Sequence, residues 1–249
     1  MKTSTINAKK ILVILFWLLV WHFISIRLNS QILLVSPFAV FIRLFDMVKT
    51  FEFYKICIIT FVKIFSGFII GFILGFILAI LSYKLKFVYD FINPVIATIK
   101  SIPVASFIVL VLVWVSSKYL STVVSALIVI PVVYSNILAG IKSVPKDMIT
   151  MAKVFNVPMA KKIKTLYLGS MASYIASAVS IGIGFCFKSG IAAEVIGISK
   201  GTIGEAIYTA KLSFETVDVL AWTIVIIVLS VSTEKAVSFL VKKFIKENV

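Results

Sequence analysis

The sequence is poor in charged residues, which make up 14% of its 249 positions, and it holds a single histidine. Average soluble domains carry about 25% charged residues and about 45–50% apolar ones. Here 61% of the residues are hydrophobic, an excess that a soluble fold of this size could not bury. Acidic residues are scarce too, at 10 against 25 lysines and arginines. The basic residues stand at the ends of apolar runs, which indicates a membrane protein and argues against nucleic acid as a partner.

Cysteine and histidine are too few for much metal or redox chemistry. Cys57 and Cys186 lie in or beside apolar runs without metal-type spacing, so we interpret both as small buried hydrophobic residues. We interpret His22, near the end of the first apolar run, as an interfacial or packing residue. The chain has no G-x-x-x-x-G-K-[S/T] phosphate loop. We therefore expect no catalytic residue, no metal and no cofactor in this chain.

What the sequence does contain is a series of apolar runs near 20 residues, the length that crosses a bilayer as a helix. They predict an all-α integral membrane protein with about six transmembrane helices, over residues 11–26, 56–83, 101–115, 120–141, 168–195 and 219–240. The first run follows lysines, as in a secretory signal, but no small-residue cleavage site comes after it, so we treat it as retained. Six spans place both termini with the lysine-rich loops, on the side that the positive-inside rule makes cytoplasmic.

We divide the chain at residue 53. Residues 1–53 are predicted to form an N-terminal transmembrane helix and an amphipathic outer segment, because apolar residues recur there at helical spacing among charged ones. Residues 54–249 are predicted to form a core with five transmembrane helices, with a polar, glycine-bearing loop before the last one. In its first helix, three glycines at four-residue spacing share a face on which another helix can approach closely: Gly67, Gly71 and Gly75.

Residues 142–166 break the apolar pattern with six lysines and one acid, Asp147. Ser143 with Pro145 just inside predicts the start of a helix. Asn156 suits the left-handed residue that ends a helix, and Pro158 can open the next one. The stretch therefore predicts a helix, a sharp turn and a second helix at the membrane surface, between the fourth and fifth spans. An ordinary basic cytoplasmic loop is the alternative.

The pattern Thr150-Met151-Ala152-x-x-x-Asn156, followed by Leu168-Gly169, resembles the cytoplasmic EAA loop in permeases of ATP-binding-cassette (ABC) importers. Thr150 and Met151 replace the family's Glu and Ala, and Asn156 replaces its Gly while keeping the turn chemistry. Flanking stretches also resemble the family: Asn93-Pro94-Val95, Ser101-Ile102-Pro103, Ala139-Gly140-Ile141-Lys142-Ser143-Val144 and Ile191-Ala192-Ala193-Glu194-Val195-Ile196-Gly197. The resemblance is closest to the branch that serves nitrate, sulfonate, taurine and thiamine-precursor uptake.

This resemblance implies a coupling helix that docks on a separate ATPase subunit, which would bind ATP and Mg²⁺. The coupling residues that it implies are Ile149, Thr150, Met151, Ala152, Phe155 and Asn156. It also implies a homodimer in the cell membrane of a prokaryote. An extracellular binding protein would deliver a small polar or anionic solute to that dimer.

Two charged residues, Lys188 and Glu194, lie in the fifth apolar run. Intramembrane charges cost ~2.5–3.5 kcal/mol on insertion scales, so they usually face a cavity or a partner. One interpretation places both on the translocation path, where Lys188 attracts the solute. The other pairs Lys188 with a neighbouring helix and leaves Glu194 at the outer interface.

A secondary transporter driven by an ion gradient is the rival function. It needs acidic or histidine ion sites inside the spans, for which Glu194 is the main candidate. A membrane-embedded enzyme is a second rival and would need a cluster such as His/Asp/Glu or Ser-Lys, which the sequence does not offer.

Overall fold

The computed structural model describes residues 2–28 and 34–248, and this part of the chain is helical without any strand. The helices in chain order are α1 (Lys2–Leu28), α2 (Pro37–Val48), α3 (Phe51–Lys84), α4 (Lys86–Ser101), α5 (Val104–Leu112), α6 (Ser117–Lys142), α7 (Lys146–Val154), α8 (Met159–Lys162), a π-helical turn (Ile163–Tyr167), α9 (Leu168–Gly197), α10 (Ile203–Leu212) and α11 (Thr216–Asn248). The prediction of an all-α membrane fold is confirmed.

Four helical stretches are long and apolar enough to cross a membrane: α3, α6, the continuous helix Met159–Gly197 and the Thr216–Phe244 part of α11. α4 and α5 add a fifth candidate as a bent pair, and α1 contributes a shorter apolar helix, Leu12–Leu28. Large apolar side chains are exposed along these elements except α6, which is mostly buried, as expected for a lipid-facing surface around a central helix. The six predicted runs thus correspond to four long helices, one broken element and one short helix.

The third predicted span, over residues 101–115, is short and follows a break in the chain. α5 covers only Val104–Leu112, and α4 meets it at an angle of 107°. The chain breaks at Ile102, whose backbone is extended (φ −74°, ψ 130°). Pro103 explains the break, because its ring disfavours helical backbone in the preceding residue and it has no N–H for the helical ladder. The element is therefore a broken span or a re-entrant loop.

Residues 197–217 are also not the loop predicted from the sequence, since they contain α10. The Thr202 hydroxyl caps this helix by accepting from the Glu205 N–H at 3.3 Å. The Glu205 carboxylate in turn accepts from the Gly201 N–H at 2.6 Å. Thr-x-x-Glu is the spacing of a capping box, so the sequence carried a helix signal among its glycines.

α3, α6 and α9 form the centre of the fold. α3 and α6 are parallel, because Gly67 meets Thr122 while Gly75, two turns later, meets Ile130. α9 runs antiparallel to α6, since Gly197 at its last position meets the first turn of α6. Most of the buried side chains between these three helices are apolar, and their packing forms the scaffold that carries the other elements.

α2 lies across the ends of α3 and α11. It buries Val40 against them, and Nε and Nη2 of Arg43 donate to the Asp218 carboxylate of α11 at 2.6 and 2.7 Å. α1 is tied to the segment before α2 by a hydrogen bond from the Trp21 indole N–H to the Val35 carbonyl, at 3.0 Å. The predicted amphipathic segment thus contains a helix, while its residues 29–33 lie outside the described part. The division at residue 53 stays a prediction.

Candidate functional site

α7 and α8 form the helix, turn and helix predicted between the fourth and fifth spans. α7 begins at Lys146, directly after Pro145, and the turn that follows it contains Asn156 in the left-handed conformation (φ 48°). The Val157 N–H closes this turn on the Ala152 carbonyl at 3.0 Å. Ser143 is not the helix start that the sequence predicted: its hydroxyl donates to the Gly140 carbonyl and ends α6.

The six predicted coupling residues divide between two sides of this segment. Ala152 is buried and Ile149 is half-buried, so these two face inward. Thr150 and Asn156 are exposed, and so are Met151 and Phe155, at 57% and 73%. Met148 and Val154, which the sequence analysis did not select, extend this surface. We call the four apolar residues the α7 apolar face: Met148, Met151, Val154 and Phe155.

Lys188 lies on the open side of α9, in line with the exposed side chains of Ile181 and Phe185. Among the described residues, no carboxylate forms an ion pair with it. The pairing with a neighbouring helix that one interpretation required is therefore not seen. One turn away, Phe185 borders a groove of about 290 Å³ at the break between α4 and α5. Lys100 also borders this groove, and its ammonium donates to the Ser135 hydroxyl at 2.5 Å.

Glu194 lies six residues after Lys188 in an opposite environment. Its side chain is wholly buried, so it faces neither the open side of α9 nor the outer interface. Its carboxylate accepts from the Thr60 hydroxyl of α3 at 3.0 Å and from the Gly204 N–H of α10 at 3.3 Å. The Glu194 carboxylate thus connects α9 to α3 and α10.

The three glycines of α3 lie where α3 crosses α6. A Cβ atom added to Gly67, Gly71 or Gly75 would lie 2.4, 2.6 or 2.8 Å from a backbone carbonyl oxygen of α6. Real Cβ atoms essentially never come closer than 3.0 Å to such an atom. Only glycine allows this approach without a backbone shift.

Sequence reasoning missed Glu234, a half-buried acid inside the apolar run of α11. Its carboxylate accepts a short hydrogen bond from the Ser180 hydroxyl of α9. An acid within a span is by itself a signal for a functional site, and it was available in the sequence. The partner on α9 was not available, because it depends on how the two helices pack.

Comparison with protein families gives a match. The family model described as "Binding-protein-dependent transport system inner membrane component" matches residues 71–246, which include α7, α9 and α10. No curated protein sequence matches the chain.

Proposed function

Because the chain belongs to the family of binding-protein-dependent transport inner membrane components, the permeases of ABC importers, we propose that it forms the membrane path of an ATP-driven importer. The family is a non-catalytic membrane component that works with an ABC ATPase and a binding protein. We propose further that this chain carries a small polar or anionic solute. The ATP and Mg²⁺ would then be held by the ATPase partner, in the cell membrane of a prokaryote.

The observation that carries this proposal is the α7 apolar face. Met151 and Phe155 project from a short helix flanked by exposed lysines such as Lys146 and Lys153. This basic segment favours the cytoplasmic side, where a soluble protein can reach it. Burying a Met or Phe side chain gives roughly 1.5–3 kcal/mol. A groove on a partner protein would bring that gain, and a soluble ATPase subunit is the partner that the family supplies.

The join between α7 and the spans suits the transfer of movement. The turn at Asn156 is closed by a backbone hydrogen bond, and α8 then continues without a break into α9. The continuous helix Met159–Gly197 has 39 residues, which corresponds to about 58 Å at 1.5 Å per residue. A push on α7 would therefore reach the far end of the molecule through a single helix.

The solute path would run along the open side of α9. Lys188 and Lys100 are exposed there, and no ion pair neutralises either of them within the described residues. Two such cations favour an anionic or strongly polar solute. One copy leaves this side open, so we propose a homodimer in which a second copy closes the path. Both termini would lie in the cytoplasm, on the same side as α7.

The test is co-purification of an ATPase subunit with the full-length protein in mild detergent. We expect Met151→Glu and Phe155→Asp to lower the ATPase recovered by at least about tenfold, because each places a charge in an apolar contact. Phe214→Asp is the matched control, since Phe214 is equally exposed, at 71%, between α10 and α11. Wild-type protein that recovers no ATPase, or equal recovery from all variants, would contradict the proposal.

A secondary transporter driven by an ion gradient is the second candidate, and Glu234 is the observation that favours it. An acid inside a span is a typical ion or proton site in such transporters. Uptake by cells separates the two functions. A protonophore that stops uptake while ATP is maintained favours the secondary transporter, and ATP depletion that stops uptake while the ion gradient is maintained favours the importer.

A further inference from the structure

A buried polar cluster lies where α3, α9 and α10 meet. The Glu194 carboxylate accepts from Thr60 and from the Gly204 N–H, and the Thr60 hydroxyl oxygen accepts from the Ile203 N–H at 2.9 Å. The Thr202 hydroxyl accepts from the third N–H of α10. Thus the first three N–H groups of α10 all bond to side chains. We call Thr60, Glu194 and Thr202 the anchor cluster.

The backbones of α9 and α10 also pack closely at the anchor cluster. A Cβ atom on Gly204 would lie 2.2 Å from the Glu194 Cβ and 2.6 Å from its backbone carbon. The three side chains of the anchor cluster are at most 1% exposed. At Gly204 the α10 backbone therefore rests directly on α9.

Stability alone does not explain why a buried position holds an acid, Glu194. A buried carboxylate is costly, and an apolar replacement of similar volume is often neutral or stabilising. No lysine or arginine of the described residues comes within ion-pair distance of Glu194. What offsets its burial is the Thr60 hydroxyl, the Gly204 N–H and the positive end of the α10 dipole. These contacts place the Glu194 carboxyl group at the start of α10.

The anchor cluster stands at the opposite end of the 39-residue helix from α7. Helix Met159–Gly197 begins beside the α7 turn and ends at Gly197, three residues after Glu194. It contains a π-helical turn, Ile163–Tyr167, a feature that often marks functional positions. The helix thus connects the α7 turn to the anchor cluster as one continuous helical stretch.

We propose that Glu194 is a positioning residue which, together with Thr60, fixes α10 to the outer end of α9, so that α10 follows α9 when the ATPase acts on α7. This rests on the proposed function. It places Glu194 outside the solute path, because its side chain is buried on a different side of α9 from Lys188. The surface beyond α10, where Leu212 and Phe214 are exposed, would change position with the nucleotide state of the partner.

Amide hydrogen exchange on the full chain in lipid nanodiscs tests the attachment. We expect Glu194→Ala and Thr60→Val to speed exchange at residues 207–212 by at least about fivefold, since these amides bond within α10 and exchange faster only when α10 detaches. Glu194→Gln keeps an acceptor for Thr60 and Gly204 and should restore most of the protection. Thr122→Val is the matched control, because it removes a hydroxyl that bonds to the Lys63 carbonyl between α3 and α6.

Unchanged exchange at residues 207–212 in both variants would overturn the proposal. Equal acceleration in α6 would also overturn it, because Glu194 would then only support the general fold. Thr60→Val is nearly isosteric, so it keeps the test decisive if Glu194→Ala does not fold.

The second measurement traps the co-purified ATPase with ATP and vanadate. In the wild type we expect exchange to change at both α7 and α10. In Glu194→Ala and Thr60→Val it should change at α7 alone. An α10 response that persists in these variants, or that is absent from the wild type, would contradict the proposal. If no ATPase co-purifies, the proposed function and the transmission to α10 both fail, while exchange without nucleotide still decides whether the anchor cluster holds α10.

Discussion

Where α3 crosses α6, three glycines place backbone against backbone, and the buried apolar side chains around them pack against one another within the chain. On α7, Met151 and Phe155 are more than half exposed, although they are as apolar as the residues of the crossing. Both regions are short stretches of helix, but only the first is complete within one molecule. The difference indicates which contacts fold the protein and which ones another protein has to supply.

The same contrast appears along α9 itself. Glu194 is enclosed by α3 and α10, whereas Lys188, less than two turns earlier, is open to its surroundings. An acid that is enclosed and hydrogen-bonded holds parts of the protein together, whereas a lysine that is left open can attract a molecule that approaches it. We therefore expect substitutions at enclosed positions to lower stability and substitutions at open positions to lower activity.

The largest effect is expected at the helix crossing. Gly71→Ala places a Cβ 2.6 Å from the Ala126 carbonyl oxygen, and we expect a loss of about 1–3 kcal/mol of stability from the forced backbone shift. Gly184→Ala is the control, because a Cβ there meets nothing within 4 Å and alanine favours a helix by about 1 kcal/mol over glycine. Thermal unfolding in detergent measures both variants. Equal melting temperatures would show that the crossing is looser than its distances indicate.

A smaller and purely functional effect is expected on the open side of α9. Lys188→Glu should lower uptake of the transported solute by about tenfold or more, the size of one lost charged hydrogen bond, while Lys188→Arg keeps most of it. The melting temperature should not change, since Lys188 has no ion-pair partner among the described residues. Lys235→Glu is the control, as Lys235 is an exposed lysine on another span. If both charge reversals lower uptake equally, the path does not pass Lys188.

Local signals in the sequence were sufficient for the helices and for the α7 turn. Apolar runs located the long spans, although the helix of the fifth run begins at Met159, nine residues before that run, and Asn156 takes the left-handed conformation expected at the end of a helix. The capping box of α10 was an equally local signal, but the glycines at 197, 201 and 204 suggested a loop instead. Two of these glycines serve close packing and one, Gly201, a positive φ of 71°.

What the sequence could not supply was the identity of partners in space. The positions of Lys188 and Glu194 predict different faces of one helix, but not that one face meets α3 and α10 while the other stays open. The angle of 107° between α4 and α5 likewise depends on the elements around the break. For the same reason the sequence did not predict which residues of α7 are exposed. The exposed apolar residues are Met148, Met151, Val154 and Phe155, whereas the set predicted from the sequence included the buried Ala152.

The smallest effect is expected at the ion pair that joins α2 to α11, because this contact is partly exposed to solvent. The Arg43 side chain is 48% exposed and that of Asp218 15%, so water and salt weaken their attraction. The hydrogen bond to Asp218 raises the pKa of Arg43, so the arginine keeps its charge at every pH near neutrality and loses it only in strong alkali. A double-mutant cycle with Arg43→Ala and Asp218→Ala should give a coupling of about 0.5–1 kcal/mol, and less in high salt. A coupling well above that range, unaffected by salt, would show that this pair behaves like the enclosed contacts of the α3–α6 crossing. The enclosed part of the protein would then include α2.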